Sequence, residues 1–163
     1  MPTYERSVRV EAPFADVWNF HSTIDGLDAL TPGWVNLRAE SVRGPDGESD
    51  PDEMVVGTTA TVSLRPFGVG PRQRATTRIV ERERTERDGR ETGYFVDEMS
   101  GAPFERWRHT HRFEAVAGGT KITDHVEYRL AGGPLGRLAG PLAVVGFAPL
   151  FRYRHRRTKQ LLE

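Results

Sequence analysis

Between Trp34 and Leu130, apolar and polar residues alternate in segment after segment, and glycine or proline cuts each segment from the next. Successive side chains on a strand point to opposite faces, so this alternation specifies half-buried β-strands. The segments VNLRAESV, GTTATVSLRPF, RQRATTRIVERERTE, ETGYFVDEM, FERWRHTHRFE and TKITDHVEYRL have the spacing of an antiparallel meander. A further strand, Tyr4 to Glu11, precedes them and brings Tyr4, Val8 and Val10 to one face, interrupted by the charged Arg6.

Helical signals flank this run. Pro13 suits a first helical turn, and Val17, Phe20 and His21 follow at i, i+3, i+4, widened by Trp18. Asp25 is the expected cap of a second short helix that Pro32 and Gly33 end. Beyond Gly133, Pro134, Pro141 and Pro149 mark helix starts or kinks, with a bend expected at Pro149 because it cannot donate to the carbonyl of Val145. Phe147, Leu150, Phe151, Thr158, Leu161 and Leu162 then share a stripe, on which Arg154 must snorkel or pair with an acid from the sheet. The predicted fold is α+β: a curved antiparallel sheet of about seven strands wrapped around a long C-terminal helix, with two short helices after the first strand. A cavity is expected where helix and sheet do not touch.

At 163 residues the chain suits one domain, 1–163, and buries roughly 70% of its unfolded surface. It has no cysteine, which excludes disulfides, thiolate metal sites and a cysteine nucleophile. Acidic and basic residues balance at 23 each, so no global field favours nucleic acid or an anionic membrane. The acidic loop GPDGESDPDE and the basic run RYRHRRTK read as solvated segments. The N-terminus carries no signal-peptide pattern, and a cytoplasmic location is expected. The longest apolar stretch, Leu138 to Phe151, falls short of the roughly 20 residues of a membrane span and contains two prolines, so a buried protein helix is expected there.

In FERWRHTHRFE the strand period puts Trp107, His109, His111 and Phe113 on one face and Arg106, Arg108, Thr110 and Arg112 on the other. The charged face is the wet one, so the imidazoles lie inward, where polar groups need partners. A hairpin turn at Gly118 and Gly119 predicts Phe113 opposite Asp124, His111 opposite Val126 and His109 opposite Tyr128, with Asp124 on the diagonal from His111. Four readings stay open. The histidines and Asp124 can be ligands of a facial metal triad, although no metal is the expectation. They can be acid–base groups, with His109 or His111 oriented by Asp124 and Tyr128 as donor to an enolate, and without a covalent intermediate because no nucleophile elbow is present. They can orient a ligand in a pocket walled by Trp34, Phe95, Trp107, Phe113, Val126 and Tyr128, with Phe147 and Phe151 from the helix and Asp97 joining if its strand has that parity. Or they are satisfied core residues with no ligand.

The segments VEAPFADVWNF, GAPFERWRHTHRF, GTKITDHVEYRL followed by GGPLGRL, and LFRYR make the chain resemble the START-related, birch-pollen-allergen type superfamily, also called SRPBCC or helix-grip. Within it the chain looks like the polyketide cyclase/dehydrase-like subgroup. The resemblance implies binding of a hydrophobic or aromatic small molecule such as a lipid, polyketide or isoprenoid, with polyketide cyclase/dehydrase-like catalysis as the alternative. It implies no cofactor. It is also similar to a domain fused to some sugar-nucleotide epimerase-like proteins, so a partner enzyme is a further expectation, with a homodimer as its alternative. Fold alone does not choose among these.

Overall fold

The chain runs from β1 (Thr3–Val10) through α1 (Phe14–His21) and α2 (Ile24–Ala29) into β2 (Arg38–Arg43), β3 (Thr59–Leu64), β4 (Gln73–Arg87), β5 (Arg90–Gly101), β6 (Phe104–Val116) and β7 (Gly119–Leu130). It closes with α3 (Gly133–Ala139), a 3-10 turn (Gly140–Ala143) and α4 (Val144–Leu162). This computed structural model describes residues 1–101 and 103–163; Ala102, within the GAPFERWRHTHRF segment, lies outside the described residues.

The strands form one antiparallel sheet in the order β1-β7-β6-β5-β4-β3-β2. Strands β2 to β7 are a meander, while β1 docks outside β7, so α1 and α2 carry the chain from one sheet edge to the other. Register shifts between Ala39 and Ser41, between Ile79 and Glu81, and between Met99 and Gly101 bend the strands, which lets the sheet curl. The result is the expected α+β helix-grip architecture: a curved sheet whose concave face receives helices.

Burial on that face falls into two apolar clusters. One lies under α1, where Trp18 meets Phe113 at 5.6 Å and Phe95 at 6.3 Å between ring centres. The other lies under α4, where Phe147 and Phe151 pack on Trp107, Val126 and Tyr128. Short helices of this kind owe their stability to such packing rather than to propensity. The cap of α2 is Thr23, whose hydroxyl accepts from the Gly26 amide at 3.1 Å, and not Asp25. Gly93 on β5 is the floor for Trp18: a Cβ there would come within 2.6 Å of the indole. Gly93→Ala is therefore expected to lower stability by about 1–3 kcal/mol through overpacking, read by urea denaturation. An unchanged midpoint would mean that Trp18 has room to shift.

Two further expectations about the fold need correction. The β6–β7 hairpin closes at Val116 opposite Gly119, which places Phe113 opposite Ile122, His111 opposite Asp124, His109 opposite Val126 and Trp107 opposite Tyr128. The ladder is thus displaced by two residues from the predicted one, keeping every face but changing every neighbour. The cause is that Gly119 is a ladder residue rather than a turn residue. A Cβ there would lie 2.1 Å from the Val10 carbonyl of β1, while the left-handed turn residue is Gly118, at φ +74°. Second, the apolar stretch before Phe151 is not uniformly buried. Leu138, Leu142 and Val145 are at least 70% exposed, and Leu161 at the other end is 41% exposed. Burial on α4 is confined to Phe147, Phe151, His155 and Thr158, and the helix continues through Pro149. By length and composition Gly133–Leu162 resembles a membrane span, yet this segment supplies the helix that covers the sheet.

Candidate functional site

The register brings five titratable side chains together on the concave face, between the two apolar clusters. Asp97 on β5 lies opposite His109 on β6, and His111 lies opposite Asp124 on β7. Because directly opposed residues share a face, Asp97 belongs on the inner face with Phe95 and Met99, which resolves the parity of that strand. The fifth group is His155 on α4, four residues after Phe151 and therefore on the same buried face of the helix. Arg6 on β1 opposes Asp124 across the next ladder.

Asp124 is the hub. Its Oδ1 accepts from His109 Nε2 at 2.8 Å and its Oδ2 from His155 Nε2 at 2.5 Å. Asp97 Oδ2 takes His111 Nε2 at 2.7 Å, with His109 Nδ1 3.8 Å away. His111 Nδ1 stands 3.2 Å from Asp124 Oδ1 but is too poorly aligned to bond, so it and His155 Nδ1 are buried ring nitrogens without a partner among the described residues. The imidazoles of His109 and His111 lie against each other, 3.6 Å between centres and tilted by 34°, and both are 5% exposed. Phe95 stacks on His111 at 4.2 Å, while Trp107 and Phe151 present their edges to His109.

Burial in this low-dielectric setting raises the cost of every charge, and the partners decide the outcome. Burial works against ionisation of Asp124, but hydrogen bonds from the histidines outweigh it and hold the carboxyl well below the usual aspartate range. Asp97 is also lowered: burial opposes its charge, and His111, His109 and Arg154 overcome that opposition. For His111 the two carboxylates outweigh burial and raise the pKa; for His109, burial and the neighbouring His111 lower it. The adjacent pair is thus pushed apart in basicity.

Asp97, His109, His111 and Asp124 are brought together as one cluster. Phe95, Trp107, Val126, Phe147 and Phe151 pack around it, while Phe113 lies beside it under Trp18 and His21. Tyr128 is on the predicted face, but its hydroxyl donates to the Gly140 carbonyl at 2.7 Å, so it is committed to the turn before α4 and is not free to serve an enolate. Trp34 is a correction. It sits in a 3-10 turn at the rim, 40% exposed and stacked on Phe67 at 4.9 Å, away from the histidines. His155 was not foreseen because it stands inside the basic run RYRHRRTK, yet its i+4 spacing from Phe151 was a usable signal. Asp97, His109 and His111 each offer a ligand atom within 4.8 Å of the others, the arrangement that a metal ion needs.

A cavity of about 490 Å³ opens further along the same face, between α2 and the β2–β3 edge. Its lining mixes apolar Ile24, Leu27, Leu37, Ala39 and Val62 with charged Asp25, Asp28, Arg38 and Glu40, and it is half open to solvent. Its size falls in the range of small-ligand pockets. The histidines do not line it; the space over β6 and β7 is occupied by the aromatic side chains under α4.

The family described as polyketide cyclase / dehydrase and lipid transport matches residues 1–163. The chain belongs to this family. Solved structures agree on the fold. A protein from Chromobacterium violaceum aligns over 100% of this chain and 99% of its own at 13% identity and a TM-score of 0.67. A point mutant of norcoclaurine synthase from Thalictrum flavum, bound to a transition-state analogue, aligns over 99% and 93% at 17% identity and a TM-score of 0.61. A nucleoside-diphosphate sugar epimerase from Corynebacterium glutamicum aligns over 96% of this chain but only 28% of its own, at 21% identity and a TM-score of 0.55. A comparison with curated proteins finds no match. The family and these folds place the chain in the START-related, birch-pollen-allergen type superfamily.

Proposed function

We propose that the chain binds an apolar or aromatic small molecule on the concave face of its sheet. The observation that carries this reading is the half-open cleft of about 490 Å³ between α2 and the β2–β3 edge, where apolar side chains stand among four charged ones that can orient a ligand. Membership in a family whose description includes lipid transport supports it. Native mass spectrometry of the purified protein is expected to show retained apolar mass, and a fluorescent fatty-acid probe is expected to bind saturably. Leu27→Trp, which fills the cavity from the half-buried face of α2, should weaken the probe by about tenfold or more, equivalent to ~1.4 kcal/mol. Equal affinity in the variant, or no saturable binding to the wild type, would reject the reading.

Acid–base catalysis of the cyclase/dehydrase kind is the second reading, favoured by one observation. Two adjacent imidazoles bracketed by two carboxylates have pKa values displaced in opposite directions, the pattern of a paired acid and base. On this reading His111 donates and His109 accepts a proton, with Asp97 and Asp124 positioning them. His111→Gln is then expected to abolish turnover of a polyketide-like substrate while leaving probe affinity intact. Full turnover in that variant would eliminate proton transfer by His111.

A further inference from the structure

We propose that Asp97, His109 and His111 bind a divalent first-row transition ion of borderline softness, with zinc as its simplest representative. The sequence favoured no metal and offered Asp124 as the third member of any triad; the observed register reverses the parts. His109 and His111 leave one face of β6 two residues apart, and Asp97 meets them from the directly opposed position on β5. Its Oδ2 lies 2.7 Å from His111 Nε2 and 3.8 Å from His109 Nδ1. Two imidazole nitrogens and one carboxylate oxygen converging from one side are the donor set that zinc and ferrous iron take.

Asp124 occupies the opposite side of both rings. It accepts from His109 Nε2 at 2.8 Å and stands 3.2 Å from His111 Nδ1, and it is itself held by His155 at 2.5 Å. A carboxylate behind a ligating imidazole fixes its tautomer and raises its basicity, and Asp124 does this for His109 while standing as a negative charge beside His111. The nitrogens that face Asp97 are thereby the ones directed toward an ion. Metal ligands are 2.0–2.2 Å from zinc, so ligand atoms on a tetrahedral ion are separated by about 3.3 Å. The Asp97–His111 pair must therefore open by roughly half an ångström and the His109 contact close by a similar amount, which the 34° splay of the rings accommodates. Burial of the histidines, 5% exposed, keeps bulk water from competing.

The inference stands apart from small-molecule binding and fails separately from it. Protein stripped with a chelator and dialysed against zinc or cobalt is expected to take up about one equivalent per chain, measured by elemental mass spectrometry. Asp97→Asn and His109→Gln should each weaken zinc by about a hundredfold or more, because even outer-shell changes cost 10–100-fold. His125→Gln, which alters an exposed histidine paired with Glu5, should leave affinity unchanged. Zinc-edge X-ray absorption of the wild type decides the matter without any variant: a shell with two imidazole nitrogens and carboxylate oxygen is expected. A shell of oxygen alone, no uptake by the wild type, or equal uptake by Asp97→Asn would overturn the proposal.

Discussion

Asp124→Ala is expected to cost about 3–5 kcal/mol of folding stability, a loss as large as truncating a core aromatic side chain. The carboxylate holds His109 and His155 and stands beside His111, joining β6, β7 and α4 through one side chain that is 3% exposed. Removing it leaves two buried ring N–H groups without acceptors, and an unsatisfied buried donor costs about 1–3 kcal/mol. The opposing Arg6, whose Nε is already buried without a partner, loses the neighbouring negative charge as well. For a chain of this size the loss corresponds to a fall in Tm of roughly 6–20 °C. Asp124→Asn keeps one acceptor oxygen and should fall between the two. The exposed pair of His125 and Glu5 is the comparison: His125→Ala should change stability by less than about 1 kcal/mol. Urea denaturation of the three variants checks the order, and an Asp124→Ala midpoint within error of the wild type would show that α4 does not depend on this hub.

Much of this site follows from strand parity. Alternation alone sets Trp107, His109, His111 and Phe113 on one face, and that face is the buried one. What alternation does not carry is register, because a slip of two residues preserves every face. Gly118 and Gly119 look alike as turn residues; only the approach of β1 to Gly119, a contact more than a hundred positions distant in sequence, separates their roles. His155 shows the opposite failure. Its helical spacing from Phe151 was legible, but five cations around it made the segment read as solvent-facing. Trp34 failed because a large aromatic side chain at a rim can stack on a neighbour such as Phe67 instead of turning inward.

Stability is expected to rise steeply between pH 4 and pH 6.5, with His21 as a principal source. This residue lies under Phe113 on the buried face of α1 and donates through Nδ1 to the Val17 carbonyl at 2.8 Å. Burial pushes its pKa down to about 4 from an ordinary value of 6.5, against the helping effect of that carbonyl; Arg154 acts with burial, and Asp124 acts against it. In this interval the unfolded chain binds the proton and the folded chain does not, so stability grows with pH and is complete above the unfolded value. At 1.36 kcal/mol per pH unit, the difference amounts to ~3 kcal/mol across the window. His109, also lowered, adds in the same direction. Asp97 and Asp124, lowered from 3.8, add their losses only below that value, so the acid limb has two stages. His111 is raised and works the other way, its contribution fading as pH climbs past 6.5. The maximum therefore falls near neutrality rather than at high pH. His21→Leu keeps the packing against Phe113 while removing the titration, and it should flatten the limb between pH 4 and 6.5 by ~3 kcal/mol while leaving the deeper fall below pH 4 in place. Denaturant midpoints taken at half-unit pH steps measure both limbs, and a slope unaltered by His21→Leu would mean that the proton is taken up elsewhere.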